Sequence, residues 1–439
     1  MDRRTFIGML SAAGVTVGFA GPAGPLPSAA RAATTVTTAA GEDPAAGRAP
    51  HQPYMHGYDA KALKNWSPET DRFAKYFRSR VPLATRIPPF AATQADPRRP
   101  TAARVMNLSF DYDKSFFAAH KYNDVFARRL LRFWQYTDIY GSWHGMPVDG
   151  SPTDEPVHGV VNLPNPAYTD AAHRNGARSL GCWFWPRDGD FDDYLERRAD
   201  GSFPVADKLI EMAGYFGFDG YFVNQEDDTP APEAARLMEL LKYLRSRAPE
   251  GFHIQWYDTI LANGKLDYQN QLNERNAPWI QDEGTPVAHS IFPNYWLPDA
   301  QQVITSRKTA ERLGLDPYEA VYHGTETEKY GYNPPYDTRL VFPEGERART
   351  SWALFGSHFP WDRHPDREDP DAQDEVFQRE RWYWSGPNED PTRTGRTRTP
   401  PAPAVRSTSR GRRRTRGSRA TRTTTGSGTG SPVTSRNVR

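Results

Sequence analysis

The stretch Asp219 to Asp228, DGYFVNQEDD, passes from apolar to polar residues within a few positions and sets Asn224 and Glu226 two residues apart. In an extended segment alternate side chains share a face, so Phe222, Asn224 and Glu226 point one way and Tyr221, Val223 and Gln225 the other. If Phe222 faces a protein interior, a carboxyl and a carboxamide project together from the end of the strand. An isolated N-x-E pair reads more simply as a loop start in which Asn224 caps the next segment. Position at the end of a fourth strand, facing an aromatic-rich rim, reverses that preference.

Glycoside hydrolysis usually takes two carboxylates, one acid and one base or nucleophile. Only Glu226 holds the central position here; Asp227 points away and Asp228 belongs to the loop, while a pair with Asp258 on another strand stays open. The economical alternative needs one carboxyl group. A 2-acetamido sugar attacks its own anomeric carbon through the amide oxygen, Asn224 holds and polarises that acetamide, and Glu226 acts first as acid and then as base toward water. To be protonated at neutral pH, Glu226 must have its pKa raised by burial among aromatics, for which Trp256 and Trp296 are candidates. Tyr257 is placed to hydrogen-bond the acetamide.

Other chemistries lack their residues. Cys182 is the single cysteine, which excludes an internal disulfide and any multi-thiolate metal site. There is no H-E-x-x-H pair, G-x-S-x-G elbow or phosphate-binding G-x-x-x-x-G-K-[ST] loop. His144, His158, His289 and His323 fall near strand ends without metal-ligand spacing and read as structural histidines. No metal and no cofactor is expected.

The elements that must position these groups recur evenly. Apolar, strand-like runs fall at 104–110, 137–144, 177–185, 219–227, 252–258, 288–296, 319–326 and 351–357. Amphipathic, helix-like segments precede the second to fifth: NDVFARRLLRFWQY, YTDAAHRNG, PVADKLIEMAGYFG and APEAARLMELLKYLRSRA. Gly176 and Gly217 stand where helix C-terminal glycines stand. Eight alternations over about 250 residues predict an α/β protein with a (β/α)8 TIM barrel. A doubly wound sheet would require one strand to be false. The runs end in Trp143 and His144, Trp183 and Trp185, Asn224 and Glu226, Tyr257 and Asp258, Asn294 and Trp296, and His323 and Glu326; strand C-terminal ends form the active-site face of such a barrel.

The two ends of the chain differ from this middle. Residues 1–33 join Arg3-Arg4 to an apolar run from Phe6 to Ala20 and end in small residues, which reads as a cleaved twin-arginine-type signal peptide and predicts export. That run falls short of the ~20 apolar residues that span a bilayer, so a stable membrane anchor is not expected. Residues 34–50 read as a linker and 51–390 as the catalytic domain. Residues 391–439 hold 13 Arg with no Lys, Asp, Glu or aromatic residue. Setting them aside leaves 42 basic residues against 54 acidic ones, so a net charge of +1 conceals an acidic body. An arginine-rich nucleic-acid arm is one reading of this tail. The preferred reading is a disordered product of a frameshift or premature end in a GC-rich gene, with no nucleic-acid partner. The sequence assigns no oligomeric state.

The motifs AAHRNGARSLG (171–181), FPVADKLIEMAGYFGFDGYFVNQED (203–227), IQWYDT (254–259) and FPNYW (292–296) resemble the family-85 glycoside hydrolases, over a span from about His56 to Asn388. The resemblance implies a (β/α)8 domain that cleaves the β-1,4 bond of the GlcNAc-GlcNAc core in Asn-linked glycans. Cleavage would retain configuration through an oxazolinium, and many members also transfer the glycan to an acceptor. It implies Glu226 as general acid/base, Asn224 as the acetamide-orienting residue, and Tyr257 and Trp296 as substrate contacts. Asn294, Trp185 and Trp143 complete the expected binding face, with N-linked glycans of glycoproteins or glycopeptides as partners. Two features depart from the family pattern. LGCWFWPRDGD stands where an LGT stretch is more common, and the β-rich domains that commonly follow the barrel find no counterpart before the tail. A chitinase-like barrel would carry D-x-x-D-x-D-x-E on its fourth strand, which is absent. A glycan-binding or decayed product is the remaining alternative.

Overall fold

A computed structural model describes residues 53–86, 102–110, 130–143, 145–148, 158–185, 190–343 and 345–386. The expected signal peptide, linker and basic tail, together with His144, lie outside these residues.

Each of the eight apolar runs contains a strand: β1 (Val105–Ser109), β2 (Ile139–Ser142), β3 (Arg178–Phe184), β4 (Gly220–Asn224), β5 (His253–Tyr257), β6 (Ser290–Phe292), β7 (Tyr322–Glu326) and β8 (Ser351–Phe355). Their parallel pairing runs β7-β8-β1-β2-β3-β4-β5-β6, and a parallel bridge from Ile291 to Val321 joins the two ends of that path. The ring is a (β/α)8 barrel, and the doubly wound alternative is excluded by the β8–β1 pairing, Val105 opposite Trp352 through Leu108 opposite Phe355.

Helix ends follow local rules. In α1 (Pro166–Arg174) the Asn165 side chain accepts from the Ala167 N–H and Pro166 opens the first turn. In α2 (Pro204–Phe216) Gly217 closes the helix at φ 78°, a conformation that favours glycine. In α3 (Ala231–Arg247) the buried face is Ala234, Leu237, Met238, Leu240, Leu241 and Leu244. The helix expected at 123–136 is not formed in its described part, where Trp134–Tyr136 makes a 3-10 turn; Phe133, Trp134 and Tyr136 are instead spent on ring contacts with Trp384, Tyr140 and Phe377.

Side-chain alternation divides the core in two. Outward residues such as Tyr221, Val223, Ile254 and Ile291 pack against Leu209, Met212 and Leu237 of the helical layer. Inward residues Met106, Leu108, Ile139, Leu180, Phe222, Tyr257, Phe292, Tyr322, Ala353 and Phe355 fill the barrel. Each large apolar side chain so buried stabilises the fold by about 1.5–3 kcal/mol. Phe292 fits because β7 carries Gly324, where a Cβ would meet its ring at 1.8 Å. The connection from β5 to β6 contains a 3-10 turn, Ala277–Trp279, and a two-stranded hairpin, Gln281–Asp282 with Thr285–Pro286, but no α-helix. This irregular segment carries a residue that completes the site.

Candidate active site

Phe222 lies inside the barrel, so parity directs Asn224 and Glu226 into its C-terminal mouth. Asn224 is buried, and its backbone carbonyl accepts from the Trp185 N–H at 2.8 Å, which ties the end of β4 to that of β3. Its Nδ2 donates to Glu226 Oε2 at 3.3 Å. Its Oδ1 is buried without a hydrogen-bond partner among the described residues.

Glu226 is partly exposed at the mouth. The hydroxyl of Tyr268 donates to its Oε1 at 2.5 Å. Burial in this aromatic setting pushes the carboxyl up to about 7, against the Tyr268 and Asn224 hydrogen bonds, which favour the charged form. An acid poised near neutrality can both give and take a proton there.

Tyr268 reaches Glu226 from the β5–β6 segment, and Asp258 fastens that segment. The Asn270 N–H donates to Asp258 Oδ2 at 2.6 Å and Asn276 Nδ2 to Oδ1 at 2.9 Å. On the other side the Leu266 N–H donates to Asp228 Oδ1 at 2.7 Å. With both oxygens engaged in the loop, Asp258 clamps that segment in place. Tyr268→Phe keeps the ring and removes a bond that stabilises the charged carboxylate. If Glu226 must be protonated to act, the variant's alkaline loss of kcat/KM should therefore move to higher pH, by about one pH unit. Rate profiles of the two proteins check this, and a shift toward acid would contradict the arrangement.

The remaining expected residues separate by direction. Tyr257 faces inward, and its hydroxyl donates to Asn294 Oδ1 at 3.0 Å. Trp143 faces inward, its ring 5.7 Å from Phe222 and 5.8 Å from Phe355. Trp185 is buried at the end of β3 beside Phe184, whereas Trp183 packs outward on Tyr194. Trp256 is not a wall for Glu226, because it lies on the outward face of β5 and stacks on Trp279 at 4.1 Å. Trp296 is 48% exposed and meets Tyr336 edge-on. The aromatic surroundings are Tyr257, Tyr268 and Tyr295. Sequence reasoning missed Tyr268 and Tyr295; the second follows Asn294 directly, while the first had no signal beyond being aromatic.

His289 accepts from the Ile254 N–H through Nδ1, and His323 Nε2 bonds Ser306 Oγ at 3.0 Å. Burial lowers both to about 3, so each is a neutral, hydrogen-bonded histidine of the framework. Among the described residues no group of three or more potential ligands could hold a metal ion.

The sequence model of Glycosyl hydrolase family 85 matches residues 113–431, past the expected domain end at 390. The Cytosolic endo-beta-N-acetylglucosaminidase of Danio rerio is 25% identical over 307 residues, 68% of this chain and 39% of that protein. Its namesake in Mus musculus is 30% identical over 189 residues, 41% of this chain and 23% of that protein. Cytosolic endo-beta-N-acetylglucosaminidase 1 of Arabidopsis thaliana is 32% identical over 170 residues, 36% of this chain and 24% of that protein. The match thus spans two fifths or less of the length of these relatives. The glycoside hydrolase domain of Endo-D from Streptococcus pneumoniae R6 superposes with a TM-score of 0.62 at 24% identity, over 76% of this chain and 51% of that one, a likeness of fold. These relatives also correct the expectation of export: they are named cytosolic, which points away from secretion.

Proposed function

The chain belongs to glycosyl hydrolase family 85, and from that premise we propose that it is an endo-β-N-acetylglucosaminidase that hydrolyses the GlcNAc-β1,4-GlcNAc bond of N-linked glycans by substrate-assisted catalysis. The observation that carries the reading is the buried, unpartnered Oδ1 of Asn224 beside a carboxyl group poised near neutrality. An unpaired buried acceptor costs stability, and a substrate that donates a hydrogen bond to it offsets that cost.

In this mechanism the acetamide N–H of the reacting sugar donates to Asn224 Oδ1, which holds the amide oxygen under the anomeric carbon. That oxygen forms a bond to C1 as the glycosidic C1–O bond breaks, and Glu226 delivers its proton to the leaving oxygen. The oxazolinium so formed keeps its positive charge beside the new carboxylate. Water then attacks C1 and loses its proton to Glu226, the oxazolinium ring opens, and configuration is retained. A sugar hydroxyl in place of that water gives glycan transfer. The engagement of both Asp258 oxygens in the loop supports a single-carboxylate route.

The full chain incubated with a high-mannose glycopeptide is expected to leave one GlcNAc on the peptide, read by mass spectrometry. An uncut glycopeptide with a folded protein would overturn the activity and favour a glycan-binding remnant.

A further inference from the structure

The barrel mouth holds a second carboxyl group that the mechanism above does not use. Glu326 ends β7, three strands round the ring from β4. Tyr322 is inward and a Cβ on Gly324 would point at Phe292, so parity turns Glu326 inward as well, at the C-terminal end. It is 9% exposed.

A buried carboxyl group normally has a structural occupation. Glu326 has none among the described residues. It occupies the N-cap position of the short helix Thr327–Tyr330 without a side-chain capping bond. The Arg363 guanidinium donates to the backbone carbonyls of Glu328 and Lys329. The surroundings of Glu326 push its carboxyl up to about 7, burial first, with Lys329 and Arg363 opposing and Glu328 adding repulsion. Tyr295 stands near both carboxyl groups: after burial, Glu326 and Glu226 raise its phenol well above the ordinary range. Its ring packs on Tyr257, Phe292 and Phe355, which holds it in place near both acids.

We propose that Glu326 is a sugar-binding residue, which takes hydrogen bonds from hydroxyl groups of a neutral hexose in the part of the glycan beyond the reacting N-acetylglucosamine. The chemistry fits the position. A carboxylate offers two acceptor oxygens that suit adjacent hydroxyls, and in a nearly dry site each such bond counts for more than it would in water. A site built this way also discriminates, since a sugar lacking the hydroxyl leaves a buried polar group unpaired. The partly exposed ring of Tyr295 supplies an apolar face against which a pyranose ring packs. This inference rests on the proposed glycosidase reading and extends it to a second subsite.

The test measures binding, by calorimetry, of a neutral high-mannose glycopeptide to the full chain carrying Glu226→Gln, with and without Glu326→Ala. Loss of Glu326 is expected to weaken binding about 10-fold or more. A series of glycopeptides each lacking one hexose hydroxyl should contain one for which Glu326→Ala makes no further difference. Thermal unfolding of the two proteins separates this from a structural role: a binding carboxyl can be removed without lowering Tm, a structural one cannot. Retained binding that Glu326→Ala leaves within twofold overturns the subsite and spares the glycosidase reading. Absent binding by both proteins, together with an uncut glycopeptide in the wild type, overturns both.

Discussion

Glu226→Gln is expected to lower kcat about 10²–10⁴-fold on a high-mannose glycopeptide, with little change in Tm. The amide is nearly isosteric with the carboxyl and keeps an acceptor oxygen toward the Tyr268 hydroxyl, giving up only the long 3.3 Å bond from Asn224 Nδ2, but it has no proton to give the leaving oxygen. The same residue sets the pH dependence. With the carboxyl held near 7 by burial, the protonated form dominates below that pH and is lost above it, so wild-type kcat/KM should fall tenfold per pH unit on the alkaline side. The variant should lose that limb along with its rate. Single-turnover rates across pH 5 to 9, read by chromatography of the released glycan, check both statements. A Glu226→Gln protein within threefold of wild type would remove Glu226 from the acid role and send the search to Glu326.

Asn224→Ala is expected to cost about 10²–10³-fold in kcat, the scale found for removing one preorganised hydrogen-bonding group from a developing charge. Its effect should differ in kind from that of Glu226→Gln. Asn224 acts on ring closure, so a glycan supplied already as the oxazoline bypasses the step that the substitution damages. Turnover of that substrate should recover in Asn224→Ala to within about tenfold of wild type, if the lost bond contributes only to closure. Hydrolysis of the oxazoline by Glu226→Gln should stay slow, because water still lacks its base. Equal impairment on both substrates would mean that Asn224 supports the strand end rather than the acetamide. Its carbonyl bond to the Trp185 N–H survives the substitution, so gross loss of the strand end is not expected.

Much of this molecule is written locally. A parallel barrel strand is covered on both faces, so each reads as a short apolar run, and amphipathic segments announce the helices between. The glycines at 176 and 217 announce left-handed helix ends, at φ 68° and 78°. The juxtaposition of Asn224 and Glu226 follows from the period of two along β4 once Phe222 is assigned to the interior. Where local patterns failed, rings had partners far away in sequence. Trp134 and Tyr136 lie in an apparent amphipathic helix, yet they pack on Tyr140 and Trp384, and the segment turns as a 3-10 element. Trp256 follows the same parity rule as Asn224 but falls on the other face, where Trp279 covers it.

The sequence by itself determined the number of barrel strands, their order of appearance and which residues of β4 face together, because strand geometry couples neighbours two apart regardless of what surrounds them. Only the tertiary structure decided that Tyr268 reaches Glu226, that Asp258 fastens the loop which carries Tyr268, and that Glu326 faces the same mouth. These depend on an irregular segment fixed by hydrogen bonds across 12 and 18 positions of sequence and on closure of the ring between β6 and β7. No period in the chain encodes contacts of that kind; burial and hydrogen-bond satisfaction select them once the barrel has formed.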